Sequence, residues 1–142
     1  MIMRKLIFAL IVMGELVAIG GDVDDIAATI WDEARGESFE GRQHIASVIW
    51  NRGNGNASEM AKAVKKPKQF SGWNGGKRPA VKIANAKDEE IWNECKAFAK
   101  AMANGTFNPV TNATHYHNDN VSPKWRLKLT YLKKVGHHLF YV

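Results

Sequence analysis

The sequence predicts one mainly α-helical domain with irregular loops and a short β element near its end, preceded by an N-terminal hydrophobic signal or anchor. Three observations carry this. The 142 residues suit one compact domain at roughly 100–200 residues per domain. Apolar residues recur at helical spacing along several stretches beyond residue 20. A composition 45% hydrophobic and 24% charged, with four prolines and twelve glycines, excludes disordered, collagen-like and linker-dominated chains. Such a chain can bury a core unaided. Its single cysteine, Cys95, can form neither an internal disulfide nor a cysteine-based zinc site.

The elements follow in order. Arg4 and Lys5 open the chain, and Leu6 to Ile19 is an apolar run broken only by Gly14 and Glu15. A membrane span needs about 20 apolar residues, so the run is short. With Ala18-Ile19-Gly20 as small residues before a cleavage point, it reads as an export signal. A buried core helix is one alternative. Because Glu15 makes insertion costly, a weak anchor that is later released is another. The expected division is 1–20 as signal or anchor and 21–142 as the folded domain, which stays basic without the leader.

Asp22 to Ala34 begins with acidic residues that suit a helix N-terminus, and Ile26, Ile30 and Ala34 form one stripe. Gly36 ends that stretch. Gly41 to Arg52 is a second helix with Ile45, Val48 and Ile49 inward and Gly53 beyond its end. Ser58 to Val64 is a short helix, and Lys65 to Pro79 is a loop. Asp88 to Ala103 places Ile91, Cys95, Phe98 and Met102 on one face, stopped by Asn104-Gly105. Ser122-Pro123 reads as a helix start, with Trp125, Leu129 and Leu132 as its face. Leu139 to Val142 can form a strand.

Three segments hold polar groups that a helical core does not need. In Trp31-Asp32-Glu33-Ala34-Arg35-Gly36-Glu37, helical spacing sets the Glu33 carboxyl beside the apolar stripe. Apolar walls raise a carboxyl's pKa and can make it a proton donor; the alternative is a solvated turn in which Glu37 or Arg35 forms ion pairs. Gln69-Phe70-Ser71-Gly72-Trp73-Asn74 combines aromatic rings with amides and a hydroxyl, which suits a sugar, or else a loop pinned to the core by Phe70 and Trp73. In Thr114-His115-Tyr116-His117-Asn118, His-X-His invites a metal. No cysteine or acidic pair completes a site, so hydrogen bonding to a ligand or to loop backbone is the better reading. No metal and no cofactor is expected. The net charge of +6 favours polyanions, but the lysine runs show no nucleic-acid-binding motif.

Taken together, these segments resemble the SleB-like cell wall hydrolases, a family that includes spore-cortex-lytic enzymes and phage lysins. The resemblance rests on Glu33-Ala34-Arg35-Gly36-Glu37 with Glu40-Gly41, on Asn51-Arg52, and on Gln69-Phe70-Ser71 with Trp73. It continues through His115 to Asn118, Pro123 with Trp125, and Gly136, His138, Phe140 and Tyr141. It spans roughly residues 24 to 142, in order, and departs from the family between Asn51 and Gln69. It implies a lysozyme-like helical fold and cleavage of the bond between N-acetylmuramic acid and N-acetylglucosamine in peptidoglycan. Glu33 matches the glutamate that serves as acid and then base. Gln69, Phe70, Ser71 and Trp73 match the glycan loop, and Tyr116 and Asn118 match a cleft-lining segment. With the leader read from residues 1–20, the expected protein is an exported monomer that acts on glycan strands in the cell envelope, with a membrane association through residues 1–20 and no nucleic-acid partner. A small lysin without a separate wall-binding module suits a phage.

No second acidic residue stands in a motif across from Glu33, whereas a retaining two-carboxylate glycosidase needs one about 5–5.5 Å away. A lytic transglycosylase, in which the C6 hydroxyl of the substrate attacks, avoids that need. The rivals are a hydrolytic muramidase using water at the same site, a wall-binding module without catalysis, and a basic nucleic-acid-binding domain.

Overall fold

The computed structural model describes residues 21–142, so the expected signal or anchor at 1–20 lies outside the described residues. Helix α1 covers 21–34. Val23, Ile26, Ala27, Ile30, Trp31 and Ala34 are all buried. These positions run well round the helix, so α1 is a central helix packed on several sides rather than a surface helix with one stripe. Its one buried carboxylate, Asp25, is neutralised by Lys65 at 2.6 Å and Arg78 at 2.7 Å, as a desolvated charge requires.

After a turn at 35–38, Ser38 caps helix α2, Phe39–Arg52, by accepting from the Gly41 amide at 3.1 Å. Ile45, Val48 and Ile49 are fully buried, as their spacing predicts. Gly53 ends the helix where α3, Ala57–Lys65, crosses it. A Cβ on Gly53 would lie 2.6 Å from the Met60 backbone nitrogen, so only glycine permits the approach. Asn56 caps α3 and Asn85 caps α4, Ala86–Asn104. Gly105 closes α4 in the left-handed conformation at φ 79°, the usual glycine stop. Trp92 of α4 meets Trp31 edge-on at 6.1 Å. Arg42 of α2, 3% exposed, reaches Glu94 of α4 at 2.7 Å and also donates to the Glu37 carbonyl.

The remainder is a small antiparallel sheet. Strands β1, His115–Asn118, β2, Tyr131–Val135, and β3, His138–Tyr141, lie in the order β1-β3-β2. His115 pairs with Tyr141 on one side, and Val135 pairs with His138 on the other, with a register shift between Tyr131 and Lys133. The fold is therefore mainly helical with a three-stranded sheet.

One expected helix does not form. Trp125, Leu129 and Leu132 mimic helical spacing, but Lys124–Lys128 is only a 3-10 turn, and Ser122 caps nothing. Leu132 lies instead in β2. Thr130 and Val142 exchange both backbone hydrogen bonds at 2.8 and 2.9 Å, so pairing with β3 satisfies this segment better than a helical turn would. Trp125 packs edge-on against Tyr141 and close to the rings of His115 and His117.

Glu37 ties the sheet to the helices. Its carboxylate accepts from the His137 amide at 2.8 Å and faces His137 Nδ1 at 3.1 Å. Gly136 enters this two-residue hairpin at φ 57°, the backbone state that such a turn asks of its first residue. A Cβ there would fall 2.7 Å from the Glu37 carboxylate. Gly136→Ala should therefore lower stability by about 1–3 kcal/mol in denaturant unfolding. Gly75→Ala, where a Cβ meets nothing within 4 Å, should change it by no more than about 0.5 kcal/mol. Equal effects would contradict the clamp.

Candidate active site

Glu33 sits in the last turn of α1, half-buried. Burial raises its pKa, and the neighbouring charge of Asp32 adds to the rise. The Tyr116 hydroxyl, which donates to the carboxylate, and the Arg52 guanidinium act in the opposite direction, and the net shift is upward. This is a carboxyl kept partly dry but provided with two groups that stabilise its anion once the proton leaves.

Each partner is positioned by the local fold. Tyr116 projects from β1 among the rings of Phe70, His138 and Phe140. Burial, and then the charge and hydrogen bond of Glu33, push its own pKa well above the usual tyrosine value, so its hydroxyl keeps its proton and donates. Arg52 ends α2. Its Nε donates to the Thr114 carbonyl at 2.6 Å, and its guanidinium lies over the Phe70 ring at 5.1 Å. Its Nη1 is buried with no hydrogen-bond partner. Burial lowers its pKa, yet a guanidinium stays cationic throughout the working pH range. Beside it, Asn51 Nδ2 donates to the Thr111 and Ala113 carbonyls at 2.9 and 2.8 Å. The Asn51-Arg52 pair thus fastens the segment leading into β1, and with it the placement of Tyr116.

Arg52 and Tyr116 line an open groove of about 430 Å³ together with Gln69, His117, Pro123 and Trp125. Of the residues expected from sequence, Tyr116 and Gln69 share this groove, and Glu33 meets it through its interactions with Tyr116 and Arg52 rather than as a lining residue. Phe70 is not a sugar platform. It is 1% exposed, lodged between Arg52 and Tyr116, where it supports both. Trp73 is half-buried. Its Nε1 donates to Thr29 Oγ1 at 2.9 Å, and its ring lines a neighbouring cavity with Asn74. Ser71 and Asn118 are exposed and lie outside the groove wall. Both ring nitrogens of His117 are engaged, Nε2 with the Tyr141 hydroxyl at 2.8 Å and Nδ1 with the Asn118 carbonyl at 2.7 Å. Among the described residues no group of three or more histidine, cysteine or acidic side chains can hold a metal ion.

Sequence reading missed Arg52 as a site residue. Its only signal was its position at the end of a helix in the Asn51-Arg52 pair. It also left Glu37 between solvation and ion pairing. Burial by itself would raise the Glu37 pKa, but the hydrogen bonds from His137 and the charges of both histidines outweigh it and leave the group below its ordinary value.

Residues 36–141 match the family described as Cell Wall Hydrolase. Two solved structures are similar over most of their length. One is the catalytic domain of the germination-specific lytic transglycosylase SleB from Bacillus anthracis, with 26% identity and a TM-score of 0.62, covering 86% of this chain and 94% of that one. The other is the catalytic domain of the SleB protein of Bacillus cereus, with 25% identity and a TM-score of 0.64, covering 87% and 91%. No curated protein matches the chain.

Because the Tyr116 hydroxyl favours the Glu33 anion, removing it should raise the Glu33 pKa further. In a ¹³C carboxyl NMR titration, Tyr116→Phe should move the Glu33 midpoint upward. A downward move would show that the hydrogen bond does not act on this carboxyl.

Proposed function

The chain belongs to the cell wall hydrolase family, and from that premise we propose that it is a peptidoglycan lytic transglycosylase that uses Glu33 as its acid and base. One observation carries the reading: the half-buried Glu33 carboxyl interacts with Tyr116 and with the charge of Arg52, two residues that line an open groove. The similarity to a lytic transglycosylase domain over most of both chains supports the same chemistry.

In the protonated state Glu33 gives its hydrogen to the glycosidic oxygen between N-acetylmuramic acid and N-acetylglucosamine as the C–O bond breaks. Tyr116 and Arg52 stabilise the carboxylate that results. The C6 hydroxyl of the muramic residue then attacks its own anomeric carbon while Glu33 takes back the hydroxyl proton, leaving a 1,6-anhydro end. Microscopic reversibility lets one group serve both steps.

The acidic neighbours favour this single-carboxyl route, since Asp32, whose charge acts on Glu33, is its adjacent residue on α1 and the others are engaged elsewhere. Glu37 is held by His137, Glu40 pairs with Lys133 at 3.1 Å, and Asp25 is held by Lys65 and Arg78. The lysozyme-like reading draws support from a helix-end glutamate that meets a small sheet. Gln69 is the glycan-binding residue best placed by the groove. Ser71, Trp73 and Asn118 are assigned to more distant sugar contacts, and Phe70 to support. The enzyme works in the cell envelope. Residues 21–142 are its catalytic domain, and residues 1–20 serve as export signal or releasable anchor. Among the described residues no helix is long and apolar enough to cross a membrane.

Glu33→Gln should retain the fold and lose lysis of purified walls by at least about a hundredfold. The raised pKa also sets the sign of its effect on stability. The folded state holds the Glu33 proton more tightly than the unfolded state, so stability present at acid pH is lost as pH rises through the folded pKa. The glutamine protein should therefore melt no lower than the parent at pH 7. In mass spectra of the parent's muropeptides, products lighter by one water than hydrolytic products support the transglycosylase. Fully hydrated products would make it a muramidase, and full lysis by Glu33→Gln would overturn the site.

A further inference from the structure

A second cavity, of about 680 Å³, adjoins the groove and shares Arg52, Gln69 and His115 with it. Helix α3 and the residue after it line this cavity with Lys62, Lys65 and Lys66, against one carboxylate, Glu59. The lysines differ in how far they are committed. Lys65 holds Asp25 at 2.6 Å and lies over the Trp73 ring at 5.6 Å, so it is largely structural. Lys62 meets Glu59 at 3.2 Å, but both side chains are exposed, and such pairs hold weakly. Lys66 forms no ion pair among the described residues. Lys68 extends the row. It lines the groove itself and adopts a left-handed backbone at φ 65°, uncommon for a side chain of this kind.

Lysines on a convex helix face are ordinarily solvated and need no ligand. Here they surround a concavity opening onto the groove, where low-dielectric walls focus their field. An uncharged amino-sugar backbone gives them nothing to bind. The anionic groups of a peptidoglycan strand lie on the peptide stems carried by its muramic residues, so a carboxylate is presented beside every cleavable bond.

Building on the transglycosylase reading, we propose that this cavity is a stem-peptide subsite in which Lys62 and Lys66 bind stem carboxylates, making strands with acidic stems the preferred substrate. Phosphodiester polymers of the wall are attached at scattered points and would not register with the cleaved bond, so they are the less fitting occupant.

The test uses the full chain on three substrates: polymer-free strands with native stems, the same strands with stem carboxylates amidated, and native strands still carrying phosphodiester polymers. The parent should cleave native stems with kcat/KM about fivefold above amidated ones, chiefly through KM. Lys62→Gln/Lys66→Gln should abolish that preference, and Lys62→Arg/Lys66→Arg should keep it. An unaltered preference in the glutamine variant, or lysine dependence only where phosphodiester polymers are present, would overturn the subsite. Co-sedimentation of the same strands separates the two readings. A parent that cleaves nothing yet retains native over amidated strands through these lysines would sink the enzyme and keep the subsite. A parent that cleaves both equally would do the reverse.

Discussion

The contact between the end of α1 and the face of β1 is the constraint on which the site depends. Glu33 alone at a helix end would be an ordinary surface carboxyl. Tyr116 and Arg52 arrive from two other elements, reduce its exposure and stabilise its anion. Burial holds the proton to higher pH than an exposed glutamate would, while the hydrogen bond and the guanidinium favour its departure. The opposing effects act on different protonation states, which is what a group that must both give and take a proton requires. Other features of the fold hold that geometry in place. Asn51 pins the chain entering β1, Phe70 fills the space beneath Arg52 and Tyr116, and Glu37 fastens the β2–β3 hairpin that flanks β1.

The two histidines after Gly136 show how finely that fastening is arranged. His137 is exposed, and its hydrogen bond to Glu37 raises its pKa, whereas burial lowers that of His138. The depressed Glu37 carboxylate contributes stability that is present above its unfolded pKa and lost as pH falls through the folded value. Glu33 and Glu37, four residues apart, therefore respond to acid in opposite ways: the fold favours the protonated form of one and the anion of the other.

Much of the helical frame was legible in the sequence because its signals are local. The glycine stops at Gly53 and Gly105 act within a few residues, and the Ile45-Val48-Ile49 face declares itself by spacing. The sheet was harder to read. By residue type, His115 to Asn118 reads as a segment that hydrogen-bonds a ligand or loop backbone, and Leu132 as part of a helical face. Both became strands because each pairs with β3, a partner supplied by the last residues of the chain. Glu33 was legible because its position beside an apolar stripe predicts burial. Arg52 was not, because its role depends on a tyrosine more than sixty residues away. Phe70 shows the limit of residue type: an aromatic in a polar loop suggests a sugar platform, yet only packing reveals that its ring is buried against Arg52 and Tyr116.

The dependence of cleavage on the Glu33 proton can be measured directly by comparing the alkaline limb of the kcat/KM pH profile with the Glu33 midpoint from carboxyl NMR of the free protein. If Glu33 is the acid, activity falls as pH rises, with a limb that coincides with that midpoint and shifts with it in Tyr116→Phe. A limb that stays in place while the Glu33 titration moves would assign the proton to another group.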